Sequence, residues 1–215
     1  MISSPITYQE SYSGYPIFAS LDSEGHYVDI LERNLQLLTF MTQKHSQTLV
    51  VRLDVRFPID MVIPEDNSCF QNFIENYRRY MARQKLDPYY LWVRERAHAD
   101  HFHYHCYFLL NGNNIRYLLL NSKDSEEDKK PSKADELWAA ACGLPEPIKG
   151  LVHITPIEVN GYTQLGIMVH RDDRVAFADA YWFISYLAKV ATRGSSTRYV
   201  REFGSSRLPY DNFSL

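Results

Sequence analysis

Apolar residues recur at helical spacing between residues 28 and 46, at Ile30, Leu31, Leu35, Leu38 and Met41. Over residues 48–57 the period becomes two, with Leu49, Val51, Leu53, Val55 and Phe57 alternating with Val50, Arg52, Asp54 and Arg56. This predicts a half-buried strand with one polar face, ended by Pro58. Residues 64–67 break the chain; Ser68 is placed to cap a helix that runs to about Lys85 and stops at Asp87-Pro88. Residues 89–95 and 103–110 read as strands, close enough in sequence for an antiparallel hairpin, and residues 111–114 (Asn-Gly-Asn-Asn) as a turn. Residues 115–120 stay apolar, as helix or strand. Residues 121–136 carry ten charged side chains and Pro131, the mark of a solvated surface loop. A short helix is expected over 134–142. Strands are expected over 151–159 and 163–169, the first interrupted or at an edge because Pro156 has no N–H to donate. The last helix is expected over 174–193, which contains no Gly or Pro. The predicted fold is α+β, a central antiparallel sheet of about five strands with helices on one face.

A length of 215 residues fits roughly one domain of ~100–200 residues. The expected division is a Tyr/Ser/Gly-rich lead-in or arm over 1–27, one domain over 28–208 and a tail over 209–215. The start lacks a basic segment followed by an apolar run, so no signal peptide is expected. No window approaches ~18 apolar residues, so no membrane partner is expected. Three Cys at unpaired spacings fit small buried hydrophobes in a reducing, cytoplasmic setting. A net charge of −3 argues against a protein that coats nucleic acid through bulk charge.

Four of the eight His fall within eight positions: His98, His101, His103 and His105. In a strand, His103 and His105 project from one face while Tyr104, Cys106, Phe108 and Leu110 point into a core. Two imidazoles so spaced can share a divalent ion. Pairing of the hairpin strands brings Glu95 beside His103 as a third ligand. Histidine plus carboxylate suits Mg²⁺ or Mn²⁺, with Zn²⁺ also compatible, and leaves positions open for a phosphate oxygen. The plainer alternative is a pair of surface histidines, and a His-rich structural zinc site is a third. A cupin is disfavoured because no Glu follows the pair closely, and the metallo-β-lactamase His-x-His-x-Asp-His run is absent. In the last helix Tyr186 and Lys189 stand at i and i+3, with Trp182 on the same side. A tyrosine with an ammonium one turn away suits nucleophilic attack on phosphorus; an ordinary helix-boundary tyrosine is the alternative, and Tyr181 competes for the role.

Together these residues resemble the HUH endonuclease superfamily of rolling-circle replication initiators. The resemblance rests on the 49–57 strand, His103-Tyr104-His105 with upstream Glu95, and the downstream Tyr186 to Lys189 helix, in that order. The run Trp92-Val93-Arg94-Glu95 and the later Arg201-Glu202-Phe203-Gly204-Ser205-Ser206-Arg207 look like the replication proteins of filamentous phages (inoviruses) and their prophage relatives. The resemblance spans roughly residues 28–208. It implies a nuclease domain that nicks single-stranded or hairpin origin DNA and transfers the strand. Glu95, His103 and His105 would hold the metal, Tyr186 would form a 5′-phosphotyrosine link, and Lys189 would neutralise the phosphate. No appended helicase domain is expected, so the chain would be the nuclease domain alone, with a host helicase as one candidate partner. Asp54, on the polar face of the first strand, is a candidate to orient a His, or else pairs with Arg52 or Arg56.

The net charge conceals two basic stretches, 76–96 and 189–207, which flank the candidate residues. Arg94, Arg96, His101, Trp182, Arg193, Arg201 and Arg207 are the expected DNA contacts, with Tyr104 a further candidate to stack on bases. Two other readings stay open. One is a DNA-binding regulator of a prophage element that keeps the fold without the activity. The other is a metal-binding or small-molecule enzyme of a different fold. Oligomeric state has no signature in the sequence.

Overall fold

In a computed structural model, residues 5–19, 24–95, 102–115, 131–159, 161–190 and 200–209 are described. The chain opens with four two-residue strands: β1 (Ile6–Thr7), β2 (Ser11–Tyr12), β3 (Tyr15–Pro16) and β4 (His26–Tyr27). Then come α1 (Val28–Lys44), β5 (Gln47–Arg56), α2 (Ser68–Arg83), β6 (Tyr89–Glu95) and β7 (His103–Asn111). The second half holds α3 (Lys133–Cys142), β8 (Val152–Ile154), β9 (Ile157–Val159), β10 (Tyr162–Gln164), β11 (Ile167–His170), α4 (Arg174–Ser185) and β12 (Phe203–Ser205). The main sheet has six strands in the order β11-β5-β7-β6-β12. β8 also pairs with β5, at residues 53–55, while β11 pairs at 47–50. Every pairing in it is antiparallel. The expected α+β class and central antiparallel sheet are what the chain forms.

The helices cover both faces of the sheet, not one. On β5, Leu49, Val51, Leu53 and Val55 join Phe70, Phe73 and Ile74 of α2 and Trp138 of α3 in one core. Val50, with Leu91, Val93, Tyr107 and Leu109, packs under α1 and α4 in a second core. The physical reason lies in β6 and β7, which are apolar on both faces for most of their length and so need cover on both sides.

The two Pro-interrupted pieces of the 151–159 segment separate as expected, β8 joining the main sheet and β9 pairing only with β10. Asn67, not Ser68, is the N-cap of α2. Its side chain turns inward, where Oδ1 accepts from the Tyr104 hydroxyl at 2.9 Å and Nδ2 donates to the Arg201 carbonyl at 2.9 Å. The lead-in packs onto the domain: Ile17 is in the α1/α4 core, and the Phe18 N–H donates to Ser185 Oγ at 2.7 Å.

The last helix is shorter than expected. α4 stops at Ser185, a 3₁₀ turn covers Tyr186–Ala188, and Lys189 is extended. The carbonyls of its final turn are taken by side chains. Ser185 Oγ donates to Trp182 O, Arg52 Nη1 to Phe183 O and Asn34 Nδ2 to Ile184 O. Lys189 then bridges His26, and the Val190 N–H donates to Gly25 O. Tertiary partners replace the next helical turn.

Candidate metal centre and tyrosine

Three neighbouring strands change from apolar to polar at the same level on the α1/α4 face. Val50 gives way to Arg52 and Asp54, Leu91 and Val93 to Glu95, and Leu109 and Tyr107 to His105 and His103. The antiparallel register aligns them, with Asp54 opposite His105 and Glu95 opposite His103. Strand alternation sends all of these side chains to one face.

The register gives close contacts. Glu95 Oε2 lies 3.1 Å from His105 Nε2 and 3.8 Å from His103 Nε2, with Glu95 only 2 % exposed. One ligand atom from each of the three residues lies within 4.8 Å of the others. Donors about 3–4 Å apart can surround one ion at ~2.0–2.2 Å bond lengths, so the three residues fit a divalent cation. His105 Nδ1 hydrogen-bonds Asp54 Oδ1, which fixes the ring and leaves Nε2 aimed at the cluster. Of the partners its strand position offered, Asp54 meets the histidine. It makes no ion pair with Arg52 or Arg56 among the described residues. Burial pulls the His105 pKa down, but the bonds from Asp54 and Glu95 outweigh it and raise it to about 9. Burial and the neighbouring His105 hold His103 below its usual value.

The Tyr186 ring meets His105 edge-on, with centroids 5.5 Å apart. Lys189 Nζ lies 3.7 Å from the Tyr186 ring centroid. The 3₁₀ turn eclipses i and i+3 and so sets the ammonium over the ring. Phe18 packs against Tyr186 and Trp182, each at 5.1 Å. Tyr181 is fully buried and donates its hydroxyl to Leu31 O, which removes it from contention.

A model of the YagK/YfjJ C-terminal domain matches residues 7–206. The chain belongs to that family. It matches none of the curated proteins. In this YagK/YfjJ domain the Glu95, His103 and His105 group, Asp54, Tyr186 and Lys189 converge at one end of the sheet. Arg94, Tyr104, Arg201 and Arg207 lie away from that group. Arg94 is 4 % exposed, on the opposite face of β6 from Glu95, where it donates to Glu65 O and Asn67 Oδ1 and lies against the Phe102 ring. Burial thus makes it an internal clamp instead of a surface contact. Tyr104, 1 % exposed and stacked on Phe70, is core. Arg201 and Arg207 are exposed and line two adjoining cavities of about 380 and 580 Å³ along α2 and the β12 edge, with Arg78 common to both. Trp182 is 37 % exposed beside the tyrosine turn. Arg96, His98, His101 and Arg193 lie outside the described residues. Among the described residues, no helix is long and apolar enough to cross a membrane.

Two residues beside the candidate site carried no site role in the sequence. Arg52 lies with its guanidinium carbon 4.3 Å from the Tyr186 ring centroid. His153 faces Asp54 across the β5–β8 pairing. Arg52 had a signal, its i, i+2 relation to Asp54. His153 had none, because its strand joins the sheet only in three dimensions.

Proposed function

We propose that this YagK/YfjJ domain is a metal-dependent DNA nickase and strand transferase, using Tyr186 as nucleophile to initiate rolling-circle replication of a phage or mobile element. The observation that carries this reading is the edge-on approach of Tyr186 to His105, at the sheet end where Glu95 and His103 also converge. A divalent ion held by those three residues would supply Lewis-acid stabilisation of charge on a scissile phosphate. The Tyr186 hydroxyl oxygen attacks phosphorus, and the bond from phosphorus to the 3′ oxygen breaks. The phenol proton passes to solvent and the departing 3′ oxygen takes one up. The products are a free 3′-OH and a 5′-phosphotyrosine ester, whose retained bond allows the reverse transfer to rejoin strands. Lys189, beside the tyrosine ring, would neutralise charge on the phosphate, and Asp54 keeps His105 oriented.

The test is a labelled panel of single-stranded oligonucleotides tiled from the DNA flanking the protein's own gene, incubated with the full chain and Mn²⁺. A denaturation-resistant protein–DNA adduct is expected from wild type and none from Tyr186→Phe. An adduct of undiminished yield from Tyr186→Phe would show that the nucleophile is another group. A second reading has support in the packing of Tyr186 by Phe18 and Lys189, which a structural tyrosine also enjoys. On that reading the domain is a non-catalytic DNA-binding regulator. Oligonucleotide binding without an adduct, unchanged by a chelator, distinguishes it.

A further inference from the structure

Arg52 leaves β5 on the same face as Asp54 and reaches the tyrosine turn. Its guanidinium carbon lies 4.3 Å from the Tyr186 ring centroid and 4.7 Å from that of Phe183. Nη1 donates to the Phe183 carbonyl at a long 3.4 Å. Nε is buried with no hydrogen-bond partner, and no carboxylate pairs with the group among the described residues. Burial lowers the hold of this guanidinium on its proton, and Asp54, Tyr186 and Glu95 only oppose that trend from a distance. An orphaned buried donor on a half-buried cation is unfavourable, and aromatic faces replace only part of the lost hydration. A cap on α4 would need the Phe183 contact alone. It would not need the group to lie over Tyr186 with Nε unsatisfied.

The charges around it suit an anionic ligand. Asp54 and Glu95 are balanced by Arg52 and Lys189. A divalent ion held by Glu95, His103 and His105 would add two positive charges that no side chain of the cluster offsets. The complement is an anionic oxygen ligand, and a guanidinium is the side chain whose fork fits phosphate geometry.

We infer that Arg52 is the phosphodiester-binding residue of this site, donating to a non-bridging oxygen of a phosphate that lies beside Tyr186. The inference rests on the reading that the site takes a phosphodiester, and it adds the group that holds it. Arg52 recognises the anion and bears on Tyr186 with the same guanidinium, so ligand and tyrosine are brought together by one residue.

The experiment uses the full chain loaded with Mn²⁺ and dimethyl phosphate as the probe. Phosphorus NMR line broadening reports phosphate held near the ion, and electron paramagnetic resonance reports Mn²⁺ affinity. Arg52→Gln is expected to weaken dimethyl phosphate binding by about tenfold or more with Mn²⁺ affinity unchanged. Arg52→Lys, which keeps the charge and loses the fork, is expected to weaken it by a smaller factor. If Arg52→Gln does not fold, the Arg52→Lys comparison decides. Wild-type affinity for the probe in the folded variant, or no probe binding by wild type, overturns the inference. Failure of the nicking reading looks different: wild type binds the probe through Arg52 but forms no adduct with any oligonucleotide.

Discussion

His105 is held by two carboxylates, and the pair explains its chemistry. Asp54 takes Nδ1 and Glu95 lies against Nε2. Against the opposing effect of burial, they raise the His105 pKa to about 9, while the bond to His105 holds Asp54 below the usual carboxylate range despite its own burial. His105 therefore carries a proton at neutral pH when no metal is bound, and a cation must displace it. Metal uptake should strengthen with rising pH, by roughly tenfold per unit up to pH ~9 for one proton released. Isothermal titration with Mn²⁺ in buffers of different ionisation heat counts that proton; a flat affinity over this range would contradict the pairing. Metal-free stability runs the other way. The His105 contribution is complete below its unfolded value of ~6.5 and is lost as pH rises through about 9. The Asp54 contribution is present above ~3.9 and is lost as pH falls below that. Asp54→Asn should flatten the alkaline decline in metal-free Tm and weaken Mn²⁺ binding by ~10–100-fold, since the ring loses its orienting partner.

Among the elements, α4 places the chemistry without supplying ligands, and β12 closes the sheet edge. α4 ends where Ser185, Arg52 and Asn34 take its last carbonyls, and that termination turns Tyr186 toward His105. Gly25 supports the same turn from the lead-in. It sits at φ +80, where a Cβ would also meet Thr7 O at 2.6 Å, and its carbonyl receives the Val190 N–H. β12 guards the far edge of the sheet. A Cβ on Gly204 would lie 2.8 Å from the Trp92 indole nitrogen, so the strand can pair with β6 only if this residue lacks one. Gly204→Val should therefore destabilise the domain by ~1–3 kcal/mol in chemical denaturation. Mn²⁺ affinity should hold in the folded protein, because Trp92 and Glu95 face opposite sides of β6. A variant as stable as wild type would mean that β12 does not need this close approach.

At the scale of the whole molecule, the sheet is a partition between two cores, and the polar cluster lies largely buried at one end of its α1/α4 face. A buried carboxylate beside two imidazoles is a poor way to stabilise a fold and a good way to hold an ion. Added Mn²⁺ should thus act on the fold as a ligand of the native state. At about a hundredfold excess over Kd it should raise Tm by roughly 5–10 °C. Glu95→Gln should abolish that shift. A shift of equal size in the variant would place the ion elsewhere.

Sequence alone determined what period and register can carry. The alternation of β5, the apolar runs of β6 and β7, and the length of the 96–102 connection predicted a hairpin in which Glu95 meets His103, because strand geometry has a fixed repeat. The same alternation marked Asp54 as a partner for a histidine. What it could not carry was competition between distant segments. The 174–193 segment has no helix breaker, yet α4 stops at Ser185 because side chains from α1 and β5 take its carbonyls. Arg94 reads as one more surface cation, yet Asn67 and Glu65 draw it inside. Arg52 reads as a neighbour of Asp54, yet it turns to Tyr186, 134 positions away. Local pattern sets which face a side chain leaves from; only the packing of remote elements decides what it meets there.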